Sequence, residues 1–140
     1  MEAVCIDLTP RVLVAEDDRE LRELLALVLE NAGYQVCQCS NGEQLLTRLK
    51  EQPAIDLVIS DIRMPGLNGL EVLARRNRHL QQIPFICMTA FGDEQTHRKA
   101  RHLGAAAVID KPFDLDDMMT LIAHVCLRNE RIKGVDHENK

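Results

Sequence analysis

A doubly wound α/β sandwich, with five parallel strands in one sheet and helices on both faces, is the fold the sequence predicts. Three observations predict it. Short apolar, β-branched runs alternate along the chain with longer amphipathic stretches. The runs are apolar at consecutive positions, as strands covered from two sides must be. The strand–helix order repeats five times with short connections, which calls for parallel pairing and right-handed crossovers.

Val12–Ala15 is the first strand. Leu21, Leu24, Leu25, Val28 and Leu29 follow at the i, i+3, i+4, i+7, i+8 spacing of one helix face, and Gly33 supplies a C-terminal stop. Gln35–Cys39 is a weaker second strand, and Gly42–Glu51, with Leu45, Leu46 and Leu49 and with Pro53 just beyond, is the second helix. Leu57–Ser60 is the third strand, followed by a helix over Leu70–Leu80 with Leu73 and Leu80 on its inner edge. Phe85–Thr89 and a helix over Asp93–Leu103, stopped by Gly104, form the fourth pair. Ala107–Ile109 is a short fifth strand. The last helix runs from Asp114, its cap, to about Arg128, with Leu115, Met118, Met119, Ile122 and Val125 inside. The domain thus spans residues 11–128, between an N-terminal extension at 1–10 and a polar tail or linker stub at 129–140.

Composition narrows the function. The chain has 140 residues, 46% of them apolar, enough for one domain with its own core. Seventeen basic against 22 acidic residues give a net charge of −5, which argues against a free-standing nucleic-acid binder. One Tyr and three Phe, with no Trp, leave no aromatic platform for stacking bases. The five cysteines include no CxxC pair, and Cys37 and Cys39 face one way on a strand, so buried thiols in a reducing compartment fit better than zinc or disulfides. The segment MEAVCIDLTPRVLV lacks the charged n-region and long apolar h-region of a signal peptide, and no apolar run nears the roughly 18 residues a membrane span needs. The expectation is a soluble, cytoplasmic protein without membrane or direct nucleic-acid contact.

In open α/β sheets ligands gather beyond the carboxyl ends of the strands. Here the first strand ends in Glu16, Asp17 and Asp18, the third in Ser60 and Asp61, and the fourth in Thr89 and Ala90. The fifth runs into Asp110, Lys111 and Pro112. Crowded carboxylates repel unless a cation offsets them, and Mg2+ is suited to carboxylate oxygens with room left for phosphoryl oxygens. Lys111 and Thr89 can complete a phosphoryl cradle, in which a carboxylate can attack phosphorus to give an acyl phosphate. The acidic loop after the first strand would repel a dinucleotide pyrophosphate, and neither GxGxxG nor a Walker sequence occurs.

VLVAEDD at 12–18, VISDIRMPGLNG at 58–69, MTAFGD at 88–93 and DKPF at 110–113 together resemble the receiver domain of two-component response regulators, a flavodoxin-like, CheY-like fold. The resemblance covers roughly residues 10–128. It implies that Asp61 accepts a phosphoryl group from the phosphohistidine of a sensor histidine kinase or phosphotransfer protein. It implies further that Asp17, Asp61 and the backbone carbonyl of Arg63 ligate Mg2+, for which Mn2+ can substitute, and that Glu16 acts on the metal through water. Thr89 would bond a phosphoryl oxygen as the switch, Lys111 would pair with the phosphoryl group or with Asp61, and Ala90 would leave the phosphoryl group accessible. Asp18 falls to the loop or helix cap. The Lys111–Pro112 bond is expected to be cis. The output would be a downstream effector protein or a C-terminal output domain, with a homodimer through helix 4, strand 5 and helix 5. One departure stands out: many receivers carry Tyr or Phe three residues before the Lys, where this chain has Val108.

Each residue has a plainer reading. Asp17 and Asp18 before a helix are ordinary caps, Thr89 is an ordinary strand end, and Lys111 an ordinary surface residue. What favours chemistry is that all end predicted strands on one side of the sheet. Val108 keeps open a constitutive interaction module of the same fold. A phosphohydrolase with an aspartyl nucleophile is disfavoured because Arg63 stands where such enzymes commonly place a second Asp. The basic run His97–Arg98–Lys99–Ala100–Arg101–His102 reads as a solvated helix face or a docking surface, Arg75, Arg76 and Arg78 read as solvated, and Phe91 and Arg63 flank the site.

Overall fold

The computed structural model describes residues 9–51, 54–76, 80–90 and 94–138, and for 81 and 128–138 the backbone alone. The elements are β1 (Arg11–Ala15), α1 (Arg19–Asn31), β2 (Gln35–Cys39), α2 (Gly42–Glu51), β3 (Leu57–Asp61), α3 (Gly69–Ala74), β4 (Phe85–Thr89), α4 (Glu94–His102), β5 (Ala107–Asp110) and α5 (Leu115–Glu138). All strand pairings are parallel, in the order β2-β1-β3-β4-β5. The order reverses beside β1, which opens a crevice between the carboxyl ends of β1 and β3.

Side-chain alternation divides the core in two. Leu13, Ala15, Val58, Phe85 and Cys87 point to the face covered by α2, α3 and α4, where Leu45, Leu49, Val72, Leu73 and Ala100 meet them. Val12, Val14, Leu57, Ile59, Ile86 and Met88 point to the face covered by α1 and α5, against Leu25, Leu29, Met118, Ile122 and Val125. β3 and β4 are buried at every position, which accounts for their unbroken apolar runs. Each fully buried aliphatic side chain contributes roughly 1.5–3 kcal/mol, so this central pair is a rigid platform.

The helix ends follow local chemistry. Asp18 caps α1, its carboxylate accepting from the N–H groups of Glu20 and Leu21. Gly33, at φ 100°, closes the same helix, with its N–H on the Glu30 carbonyl and that of Tyr34 on the Leu29 carbonyl. Asp114 caps α5, accepting from the Asp116 N–H at 2.8 Å. Cys37 and Cys39 both face the α2–α4 side. Burial raises the Cys39 thiol to about 11 and the Cys87 thiol to about 12, so both stay protonated. Cys5, Phe91 and Asp93 lie outside the described residues.

Three expectations need correction. The third helix stops at Ala74, well short of Leu80, and Leu80 is buried from a separate 3-10 turn at Leu80–Gln82. Leu73 and Leu80 have the i, i+7 spacing of a helix, but the sequence from Arg75 to His79 supplies no apolar residue to carry the helix on against the sheet. The last helix continues past Arg128 to Glu138, since the polar sequence there contains no proline and several good helix formers.

Arg76 is not a solvated helix residue. Just past α3, its guanidinium lies 5.2 Å from the Phe85 ring centroid and donates to the carbonyls of Leu73 at 3.1 Å and Leu103 at 2.9 Å. It ties the ends of α3 and α4 to β4, and its burial works against its charge. Arg76→Ala is expected to lower stability by about 1–3 kcal/mol in urea unfolding, and Arg76→Lys to recover less than half of that, because an ammonium cannot copy the planar fork. Exposed Arg75→Ala should change stability by no more than about 0.5 kcal/mol. An Arg76→Ala protein as stable as the wild type would contradict this role.

Candidate functional site

The carboxyl ends of four strands carry polar groups into one place. After β1 the chain keeps its sheet pairing for one more residue, the Glu16 N–H donating to the Cys39 carbonyl at 3.0 Å. That step turns the Glu16 side chain into the protein, where it is 0% exposed, while the next residue, Asp17, is exposed. Asp61 ends β3 at 5% exposure, and Thr89 ends β4 at 7%. The Ile62 N–H donates to the Met88 carbonyl at 2.9 Å, which fixes the backbone just past Asp61 against β4.

Lys111 follows β5. Its N–H donates to the Thr89 carbonyl at 2.7 Å, and the Lys111–Pro112 bond is cis, as the resemblance led one to expect. The ammonium reaches over the end of β4 to Asp61 Oδ2 at 3.0 Å and to the Glu16 carboxylate. Glu16, Asp17 and Asp61 each offer a carboxylate oxygen within 4.8 Å of the others. Oxygen donors of this kind suit a hard divalent cation. With all three ionised, one ammonium leaves two negative charges uncompensated, which matches that requirement. The Arg63 N–H donates to Asp61 Oδ1 at 3.3 Å, so the backbone two residues past Asp61 turns back on its carboxylate.

Burial of Glu16 raises its pKa to about 7, aided by the facing Asp61 and by Asp17 and opposed by Lys111. For Lys111, burial works against the charge, but the hydrogen bonds and charges of Glu16 and Asp61 outweigh it and hold its pKa up. The ammonium therefore stays charged, and Glu16 is the acid that yields when no cation is present.

The surrounding loops are held by contacts that sequence reading missed. Glu43, in the first turn of α2, accepts the Leu67 N–H at 3.0 Å and so anchors the loop between β3 and α3. At Gly69 a Cβ would sit 2.4 Å from the Asp61 carbonyl oxygen, so only glycine lets α3 begin this close to the buried acid. Arg22 of α1 donates to the Glu16 carbonyl at 2.9 Å and to Gln38 of β2 at 3.2 Å. Helical spacing marks neither Glu43 nor Arg22 as anything but a surface residue. Beside the site a groove of about 610 Å³ is lined by Leu21, Leu24, Pro112 and Phe113 together with exposed Ala90 and half-buried Lys111.

Every residue expected at the site is therefore at this end of the sheet. Glu16, Asp17, Asp61 and Lys111 come together, Thr89 and Ala90 close β4 beside them, and Arg63 stands on the adjoining loop. Val108 packs half-buried against the α2–α4 side of the core.

A family model described as the response regulator receiver domain matches residues 12–123. Sporulation initiation phosphotransferase F of Bacillus subtilis (strain 168) is 38% identical over 109 residues, covering 77% of this chain and 86% of that protein. Transcriptional regulatory protein FixJ of Bradyrhizobium diazoefficiens is 34% identical, covering 84% of this chain but 56% of its own length. The chain thus spans most of the first relative and about half of the second. Among solved structures, a CheY-like receiver domain protein from Methanospirillum hungatei JF-1 matches with a TM-score of 0.83 at 23% identity, over 88% of this chain and 98% of that one. The non-phosphorylated HemR receiver domain from Leptospira biflexa matches with a TM-score of 0.77 at 32% identity, over 84% and 94%.

The shifted acid has a consequence in metal-free protein. Glu16 titrates near 4.5 unfolded and about 7 folded, so the folded state holds the extra proton in that window. Stability from this group is full below about pH 4.5 and is lost as pH rises through about 7. With chelator present, the stability of Glu16→Gln relative to wild type is expected to move in the variant's favour by about 3 kcal/mol across that window. Denaturant titrations at several pH values check this; a difference that does not vary with pH would contradict it.

Proposed function

The chain belongs to the response regulator receiver family, a family of phosphoacceptor signalling domains, and we propose that Asp61 is the residue that takes the phosphoryl group. The observation that carries the reading is the contact of Lys111 with the carboxylate of Asp61 at the end of the most buried part of the sheet. An Asp61 oxygen attacks phosphorus of a phosphohistidine, the bond from phosphorus to imidazole breaks, and the product is an acyl phosphate on Asp61. Glu16, Asp17 and Asp61 fit Mg2+, with Mn2+ as a substitute, and Asp17, Asp61 and the Arg63 carbonyl are its proposed direct ligands. When bound, the cation neutralises phosphoryl charge. Lys111 supplies a second positive charge, the Thr89 hydroxyl donates to a phosphoryl oxygen, and the small Ala90 leaves room for the group.

Receiver domains exchange signals with histidine kinases and output domains. For this chain we assign a sensor histidine kinase or phosphotransfer protein as donor, and a downstream effector protein or an output domain as reader. We assign residues 11–128 as the unit that performs this, with 1–10 an N-terminal extension and 129–140 a polar tail or linker stub. No helix among the described residues is long and apolar enough to cross a membrane, and we assign a cytoplasmic location without direct nucleic-acid contact. Helix α4, β5 and α5 are the proposed face for partners and for a homodimer. The protein acts on itself once per cycle instead of turning over substrate, in keeping with Arg63 where a hydrolase would need a general acid.

Val108 supports a second reading, a docking module indifferent to phosphorylation. Incubation with acetyl phosphate and Mg2+ followed by intact-mass measurement tests the first. A single phosphoryl adduct is expected in the wild type and none in Asp61→Asn. No adduct in the wild type, or one that persists in the variant, would overturn the assignment. Unchanged partner affinity in beryllofluoride would favour the second reading.

A further inference from the structure

One side-chain contact joins helix α4 to the phosphoacceptor end of the sheet and plays no part in the chemistry above. His97 Nε2 lies 2.7 Å from Asp110 Oδ1 at the end of β5. The ring is 15% exposed and the carboxylate 47%. Strand alternation and helix period place both groups. Val108 and Asp110 are two apart on β5 and share one face of the sheet, the face on which Val108 packs with Ala100. His97 precedes Ala100 by three residues and so lies on the same side of α4. The contact therefore lies between α4 and the face of β5 that carries Val108, and Asp110 is the only β5 residue with a polar side chain.

Asp110 also stands between the two groups that handle the phosphoryl oxygens. It is the register partner of Thr89 across β4 and β5. Its neighbour Lys111 donates its N–H to the Thr89 carbonyl at 2.7 Å and its ammonium to Asp61 at 3.0 Å. A displacement of Thr89 or Lys111 moves Asp110 with it. Helix α4 buries only Ala100 against the sheet, and Arg76 holds its far end by the Leu103 carbonyl, so the contact of His97 with Asp110 is its tie at the phosphoacceptor end. Its outer face carries exposed Arg98, Lys99 and Arg101, so its position sets where a basic surface is presented.

Resting on the reading of Asp61 as phosphoacceptor, we propose that His97 is a positioning residue that couples helix α4 to the phosphorylation site through Asp110. Phosphorylation shifts Thr89 and Lys111, Asp110 follows, and His97 carries the shift into α4.

Beryllofluoride with Mg2+ stands in for the phosphoryl group on Asp61. Fluorine NMR reports its binding, and amide hydrogen exchange of residues 94–102 reports α4. In the wild type, beryllofluoride is expected to change exchange in α4. In His97→Ala, beryllofluoride still binds, but the exchange change falls by about fivefold or more. Asp110→Ala gives the same loss, the double variant loses no more than either single one, and His97→Gln, which keeps an N–H donor, restores part of the response. A contact that merely holds α4 down would alter exchange equally with and without beryllofluoride. That outcome, or an α4 response in His97→Ala equal to the wild type, overturns the proposal. Should His97→Ala fail to fold, Asp110→Ala carries the same comparison. Wild-type protein that binds no beryllofluoride overturns the phosphoacceptor reading itself, whereas binding without any α4 response overturns the coupling alone.

Discussion

Lys111 reaches across the end of β4 to carboxylates that belong to two other strands, and the rest of the site is arranged around that contact. Glu16 and Asp61 are both buried, and two carboxylates at such range could not both stay charged in a protein interior without a cation beside them. The ammonium answers part of the demand. Asp17 adds a third carboxylate from the solvent side, and the local balance is then short by two positive charges. The unmet charge draws a divalent ion to one defined place and leaves Glu16 the acid that gains a proton when no ion is there.

The contact depends in turn on the sheet. β1, β3 and β4 are packed on both faces, so the residues at their ends cannot drift apart to relieve repulsion. The loops around them are tied down as well, by Glu43 on the Leu67 N–H, by Arg22 on the Glu16 carbonyl, and by the close approach of Gly69 to Asp61. A site built this way is preorganised for phosphoryl transfer and needs little rearrangement to react. Movement has to come from elements with fewer ties. Helix α4 buries only Ala100, and the contact from His97 to Asp110 links it to the end of β5, while Arg76 holds its far end.

The sheet and the site were legible for the same reason. Strands buried on both faces write themselves as apolar runs, and in a parallel sheet the polar residues that end those runs share one edge. Glu16, Asp61, Thr89 and Lys111 could be grouped before any coordinates, and Asp18 could be set apart as the cap it is. What periodicity cannot convey is how side chains act beyond their own element. Leu80 keeps helical spacing from Leu73, yet α3 ends at Ala74 and Leu80 belongs to a separate 3-10 turn. Arg76 reads as one of several exposed arginines but lies on Phe85. Glu43 reads as an ordinary first-turn acid but holds a loop 24 residues away. His97 sits in a basic run that looks solvated throughout; its distinction appears only when its three-residue step from Ala100 is set beside the two-residue step from Val108 to Asp110.

The central claim is that the acidic cluster is stable because it expects a divalent cation. Thermal unfolding with and without about 10 mM Mg2+, in the wild type and in Asp17→Asn, tests it most directly. The account predicts that Mg2+ raises the wild-type Tm by several degrees, that Asp17→Asn is at least as stable as the wild type without metal, and that it loses most of the Mg2+ response. A wild-type melting curve that does not respond to Mg2+, or a variant that responds as strongly as the wild type, would contradict it.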